Sequence, residues 1–376
     1  MRAKRLALWI GGAFAVLVGL ALGYYFLILD WQGRPFRACI FSKRMDRRSP
    51  RVSARLAGMN TLQITADGLV LTELVQACAD EDKARELLEG WRWPQGPVCP
   101  HCQNAGAKRI SKLEAQSTSP RGVRKGVYFC GACRQQFTVT VGTVLERSHV
   151  PISKWLMAWF LLCASKKSLS ANQIHRMIGV TYKTAWFMCH RIRFAMTPAP
   201  WAEAKLKGTV EVDETFVGPR AKPKTPVVAL VQRQGPVRVK VIASVTQKNL
   251  GAALCECVSQ EAVVNTDEHP GYKNPLKHWK EHQTVNHSRG EYQRQNPDGS
   301  RASTNTAESF FSLLKRAIIG AWHHISREHL PRYANEFAFR WNTRHDSDGQ
   351  RLERFVQWIQ GKRLTYRQVA QPLCVC

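Results

Sequence analysis

An α/β fold is predicted, in which a mixed sheet domain follows a small cysteine module and a pair of short helices. Three observations carry this: two Cys-x-x-Cys pairs, a capped helix–turn–helix pattern over Ser168–Arg193, and three strand-like runs, a helix and a further strand between Gly208 and Asp267. The chain has 376 residues, enough for one large domain with smaller modules. With 44% hydrophobic residues and 12 Trp it has ample apolar material to offset chain entropy, which excludes wholesale disorder. Lys plus Arg number 55 against 28 Asp plus Glu, a formal charge of +27. Such an excess points to a polyanionic partner, nucleic acid or an anionic membrane surface, and excludes a freely diffusing acidic binding protein.

At the N-terminus, Leu6–Leu29 is 24 residues without a charge, long enough to cross a bilayer core. It ends in Tyr24, Tyr25, Phe26 and Leu27 instead of a small-residue cleavage site, so it reads as a single membrane anchor and not a signal peptide. The heavier basic flank, Arg34 to Arg48, would hold the C-terminal bulk in the cytoplasm. An alternative is that translation starts at Met59, making 1–58 an upstream extension. The first 58 residues carry 11 Lys or Arg and 2 Asp or Glu, so +18 of the +27 lies beyond them.

Residues 59–97 are expected to form a short helical segment that ends near Trp91, Trp93 and Pro94. Region 98–145 holds Cys99-Pro-His-Cys102 and Cys130-Gly-Ala-Cys133, with 27 residues between the pairs. Two knuckles would gather four thiolates into the tetrahedron that a structural Zn²⁺ requires. The other eight cysteines follow no disulfide framework, and a reducing compartment suits the folded bulk. Gln103 stands where glycine would ease the knuckle turn.

Region 150–200 begins with an apolar helix, Ile152–Cys163. Ser170 can then cap a helix ending at Gly179, and Thr181 can start the next. On that second helix Ala185, Met188 and Ile192 form an inward stripe, and Lys183, Arg191 and Arg193 are read as outward residues that contact duplex DNA. A plain helical hairpin with a solvated basic face is the bland reading.

Region 205–345 is the sheet domain. Gly208–Val217 alternates as a strand, with Val210 and Val212 on one face and Glu211 and Asp213 on the other. Pro226–Val231 and Val237–Val245 follow as strands, Leu250–Val258 as a helix and Ala262–Asp267 as a strand. Glu268–Ser303 is expected to be a long polar loop, either an active-site lid or a DNA-contact insertion. Asn305–Gly320 reads as an amphipathic helix with Glu308 in its first turn and Lys315 on the same face two turns on. Arg327–Asn342 is a last helix over the core, and 346–376 a C-terminal tail.

Asp213 and Asp267 at strand ends, with Glu308 on a helix, could hold divalent metal, Mg²⁺ or Mn²⁺, for in-line attack on a phosphodiester. Clustered carboxylates repel DNA, and bound cations resolve that conflict. Each carboxylate taken alone is better explained as a cap, a solvated strand end or a helix N-terminal residue. Glu211 and Glu214 are rivals for the first ligand.

From about Met59 to Arg344 the chain resembles bacterial insertion-sequence transposases of the zinc-ribbon DDE type, the insertion-sequence 1595 group. The stretches that carry the resemblance are Trp91-Arg-Trp-Pro94, the Cys99–Cys133 ribbon, Val210–Gly218, Thr266–Tyr272, His282–Ser288 with Gly290-Glu-Tyr292, Asn305–Phe310 with Leu314-Lys-Arg316, and Phe337–Asn342. The resemblance implies an RNase H-like catalytic core with Asp213, Asp267 and Glu308 as metal-binding carboxylates. It also implies binding to terminal inverted repeats, strand cleavage and strand transfer into a target, homo-oligomers on DNA, and a DNA contact from Lys315. A cytoplasmic, nucleoid-associated protein is expected; a membrane partner arises only if 6–29 is translated. Pro219 departs from the family pattern, in which a second glycine commonly follows Gly218. Competing readings are a zinc-ribbon DNA-binding regulator without catalysis and a membrane-tethered nuclease.

Overall fold

The computed structural model describes residues 69–106, 109–113, 125–197, 204–219 and 223–370. The apolar run 6–29 and the Met59 start lie outside the described residues. Among the described residues no helix is long and apolar enough to cross a membrane.

Helices α1 (Leu71–Ala77) and α2 (Glu81–Arg92) lead into the ribbon, with Asp80 capping α2 through the Asp82 N–H. The ribbon is an antiparallel three-stranded sheet, β1 (Ile110–Lys112), β2 (Tyr128–Cys130) and β3 (Gln135–Phe137). Trp93 packs edge-on against Tyr128 and Phe137, at centroid separations of 5.4 and 5.8 Å, and seals the small sheet.

The helical unit follows as α3 (Ile152–Ala164), α4 (Ala171–Ile178) and α5 (Tyr182–Ala195). Ser170 and Gln173 form the α4 capping box, Gly179 closes α4 in the left-handed region (φ 62°), and the Thr181 side chain caps α5. The turn is therefore built as its sequence predicts.

The larger sheet has the order β6-β5-β4-β7-β8, made of β4 (Thr209–Val217), β5 (Thr225–Gln232), β6 (Val237–Val241), β7 (Val263–Thr266) and β8 (Glu281–Thr284). β4, β5 and β6 pair antiparallel, whereas β7 and β8 run parallel to β4. This mixed sheet is consistent with an RNase H-like core. Helix α6 (Gln247–Cys257) covers one face, where Leu250 and Leu254 join Val210, Val212, Val228 and Leu230. Helices α7 (Asn305–Ala317) and α8 (Leu330–Asn342) cover the other, bringing Phe310, Leu314 and Phe337 onto Val227, Ala229 and Val231. With both faces covered, the polar alternation along β4 hides buried residues, Glu211 among them.

Two expectations about connections are corrected. Glu268–Ser303 is not a structureless loop: it holds β8 and the antiparallel hairpin of β9 (Gln293–Gln295) and β10 (Arg301–Ser303). Residues 346–376 are not a plain tail, because α9 (Asp348–Trp358) and α10 (Tyr366–Ala370) form there. Ser347 and Gln350 box the start of α9, which buries Leu352, Phe355 and Val356 in the same core as α3.

Candidate active site, zinc centre and basic face

Four cysteines converge at the ribbon. Cys99 Sγ lies 3.6 Å from Cys133 Sγ, and Cys102 Sγ 3.6 Å from Cys130 Sγ. All four sulfurs fall within 4.8 Å of one another. A tetrahedron of sulfurs about 2.3 Å from Zn²⁺ has edges of about 3.8 Å, so the donor set and its spacing fit a structural zinc ion. Each knuckle turns back through a left-handed residue directly after its second cysteine, Gln103 (φ 59°) and Arg134 (φ 57°). Their N–H groups donate to Cys99 O and Cys130 O at 2.9 and 2.8 Å. The absence of glycine is thus tolerated, at a cost of about 1–2 kcal/mol per position. N–H groups of Cys133 and then Ala132 pull the Cys130 thiol down to about 6, while burial pushes the neighbouring Cys133 thiol up to about 12.

The carboxylates are ordered by strand register. β4 and β7 pair Glu211 with Asn265, and two residues further on stand Asp213, still on β4, and Asp267, just past the end of β7. Both acids therefore lie on adjoining parallel chains, at the level where β7 has ended and β4 continues against β5. The Asp213 carboxylate accepts the Glu214 N–H at 2.8 Å. Asp267 accepts the His269 N–H at 3.1 Å, and His269 Nδ1 in turn accepts the Gly271 N–H at 3.1 Å. A side chain at Gly271 would bring its Cβ within 2.8 Å of His269 and 2.9 Å of Leu250, so that tight loop requires glycine.

Glu308 is in the first turn of α7, which packs on β4 and β5, and its side chain is 48% exposed. His287 Nε2 sits 3.8 Å from Glu308 Oε1 and 3.1 Å from Thr304 Oγ1. Lys315 is exposed on the same helix.

Burial pushes the Asp213 carboxyl up to about 7, with further contributions from Glu214, Asp267 and Glu308. This is the electrostatic signature of acids gathered where a cation would neutralise them, and an all-oxygen donor set suits Mg²⁺ or Mn²⁺. The carboxylates are more loosely spaced than the cysteines, which among the described residues form the only group of three or more ligands within 4.8 Å.

The rival acids are both engaged elsewhere. Glu214 accepts a hydrogen bond from the buried Tyr272 hydroxyl, and burial raises its pKa. Glu211 is fully buried, ion-paired with Arg233 at 2.8 Å and bonded to the N-terminus of α7.

Two of the expected DNA contacts are corrected. Arg193 is 1% exposed: its Nε donates to Glu336 at 2.7 Å and its guanidinium lies 4.1 Å from the Tyr333 ring centre. Arg191 is 4% exposed, donates to Glu146 O at 2.7 Å and packs between Trp155 and Phe187. From Cys189 to Ala195 α5 is buried except for the half-buried Phe194, packed against α3 and α8, although Arg191 still lines a pocket beside Arg147 and Lys183. Lys183, at the other end of α5, is exposed and lies 5.4 Å from the Tyr366 ring centre.

Sequence reasoning missed the basic surroundings of that end. His149, Lys154, His175 and Arg176 line an open cleft of about 710 Å³ beside the α4–α5 turn. Arg147 and Lys183 line an adjoining pocket of about 280 Å³. These residues come from separate segments, so no single helical period displays them.

Residues 205–342 match the ISXO2-like transposase domain, and 79–136 match the transposase zinc-ribbon domain. The chain belongs to the zinc-ribbon transposases of the insertion-sequence 1595 group. A protein in transposable element ISH50 of Halobacterium salinarum is 27% identical over 293 residues, which cover 71% of this transposase and 92% of that relative. Among solved structures, a chain of a simian T-cell lymphotropic virus intasome in complex with PP2A regulatory subunit B56 gamma aligns with 15% identity and a TM-score of 0.25, too low to show a shared fold. That alignment covers 48% of the transposase and 64% of the viral assembly's chain, less than two thirds of its length.

Proposed function

We propose that this transposase binds the terminal inverted repeats of an insertion sequence and catalyses metal-dependent strand cleavage and strand transfer, as a polynucleotidyl transferase. The observation that carries the reading is the shared register of β4 and β7, with Asp213 and Asp267 two residues beyond the Glu211–Asn265 pair. Helix α7, packed on β4 and β5, adds Glu308 in its first turn.

Asp213, Asp267 and Glu308 would hold Mg²⁺ or Mn²⁺, which when bound supplies Lewis-acid activation of a water or 3′ hydroxyl and stabilisation of the leaving oxygen. The chain's own part is positional. The Glu214 N–H and the His269 N–H turn the two aspartates, and His287 stands beside Glu308, within reach of a phosphate brought there. Lys315, two turns along α7 from Glu308, offers a cation to the same DNA.

For binding, Lys183 at the N-terminal end of α5 remains a DNA contact, now with Arg147, His149, Lys154 and Arg176 around it. Joining two element ends requires two copies of the end-binding surface, so a homo-oligomer on DNA is part of the reading. A protein that works on chromosomal DNA is placed in the cytoplasm, associated with the nucleoid.

The test is cleavage and joining of inverted-repeat DNA in Mg²⁺ or Mn²⁺, comparing the parent with Asp213→Asn, Asp267→Asn and Glu308→Gln at matched DNA occupancy. Each amide is expected to abolish both reactions while DNA binding persists. Parent-level activity in all three would overturn the catalytic assignment. Binding without any cleavage by the parent would favour the regulator.

A further inference from the structure

We propose that Glu211 is the positioning residue of the active site, a buried anchor that holds the helix carrying Glu308 at a set distance from Asp213 and Asp267. The inference rests on the carboxylate reading above and adds a fourth acid that touches neither metal nor DNA.

Helix α7 begins without a cap of its own, since Thr304 makes no side-chain cap bond and its hydroxyl is bonded to His287 instead. The exposed N–H groups at a helix start need acceptors, and here they come from another strand. Glu211 Oε2 accepts the Thr306 N–H at 2.6 Å and the Ala307 N–H at 3.3 Å. Glu308 is the next residue, so the anchor acts within one peptide unit of the ligand.

The other carboxylate oxygen is held from below. Glu211 Oε1 accepts from Arg233 Nε at 3.0 Å and Arg233 Nη2 at 2.8 Å. Arg233 also donates to Arg301 O at 2.7 Å and Ser303 Oγ at 3.1 Å, fastening the end of the β9–β10 hairpin just before α7 starts. Asn265 joins the cluster: with its side-chain amide turned over, its oxygen would accept from Ser303 N at 3.2 Å and Arg233 Nη2 at 3.3 Å.

Placement along the strands completes the argument. Glu211 and Asn265 are register partners, each two residues before one of the two aspartates, Asp213 further along β4 and Asp267 just past the end of β7. One buried layer therefore leads into both aspartates and ties the third acid's helix to itself. A negative charge at a helix start is also electrostatically favourable, which makes a carboxylate a better anchor here than an amide. Burial with every oxygen occupied leaves Glu211 no lone pair directed at the open site.

The test uses the full-length protein, with Mn²⁺ titrated in the absence of DNA and cleavage measured separately in Mg²⁺. Glu211→Gln keeps the shape, removes the charge opposite Arg233 and turns an NH₂ toward other donors. It is expected to raise half-saturating Mn²⁺ and lower the cleavage rate, each by about 10- to 100-fold, with inverted-repeat affinity at the parent level and partial recovery of cleavage at high Mn²⁺. Glu211→Asp keeps the charge but shortens the reach, and its Mn²⁺ curve should fall between those two. If Glu211→Gln does not fold, Glu211→Asp decides by the same measurements. A folded variant with the parent's Mn²⁺ curve overturns the proposal, whether or not its melting temperature has dropped. Asp213→Asn serves as the reference: parent-like Mn²⁺ binding there would overturn the carboxylate reading itself, whereas lost binding in Asp213→Asn beside an unchanged curve in Glu211→Gln would overturn only the anchor.

Discussion

Replacing Asp213 with asparagine should stabilise the Mg²⁺-free protein at alkaline pH while destroying its activity. Burial first, then Glu214, Asp267 and Glu308, raise the folded-state pKa from 3.8 to about 7. The sign follows from proton counting. Between about pH 4 and pH 7 the unfolded chain has released the Asp213 proton and the folded chain still holds it, so stability falls as pH rises through that window. That rise from 3.8 to about 7, at 1.36 kcal/mol per tenfold change in proton affinity, gives about 4 kcal/mol at most, and solvent screening of this partly exposed carboxyl reduces it to about 2 kcal/mol. Asparagine cannot ionise, so the parent and Asp213→Asn should coincide in stability contribution near pH 4 and separate by about 2 kcal/mol in favour of the variant at pH 8. Urea denaturation across that range, in Mg²⁺-free buffer without chelator so that the ribbon keeps its zinc, reads the difference directly. Adding Mg²⁺ or Mn²⁺ at pH 8 should raise the parent's stability and leave the variant's unchanged. A variant no more stable than the parent at pH 8 would refute the electrostatic account of this site.

The ribbon should carry one zinc per chain, and Cys102→Ala should lose it and unfold residues 98–141, as metal analysis and proteolysis of the purified protein would record; full zinc content in the variant would refute the four-thiolate assignment. Glu336 is buried between Arg193 at 2.7 Å and Arg340 at 2.5 Å, joining α5 to α8. Glu336→Gln strands two buried cations and should cost about 3–5 kcal/mol in urea denaturation, against less than about 1 kcal/mol for exposed pairs such as Lys240–Glu256.

The parts of this protein that local chemistry dictates could be read from its sequence. The cysteine knuckles, the Ser170 and Thr181 caps, the Gly179 turn and the strands leading to Asp213 and Asp267 all depend on near neighbours, and the structure contains each of them. What failed depended on partners distant in sequence. Strand β8 reads Glu-His-Gln-Thr, with only Gln283 buried, and is a strand because β7 offers it a parallel edge. Arg191 and Arg193 look like a solvated basic face until Glu146 O and Glu336, 45 and 143 residues away, are known to accept from them. Polar patterning also cannot distinguish a buried arginine bound to a buried acid from an arginine waiting for phosphate, since both are charged residues at helical spacing. The same ambiguity governs Glu211. Strand alternation puts it on the side of Asp213 and makes it an equal candidate for metal, and only the arrival of the α7 N–H groups, from 95 and 96 residues along the chain, separates an acid that binds cations from one that holds a helix. Fold class and the identity of the acidic positions are thus local properties of this chain, whereas the division of labour among its acids and arginines is set by which helix end, strand or counter-charge each one meets after folding.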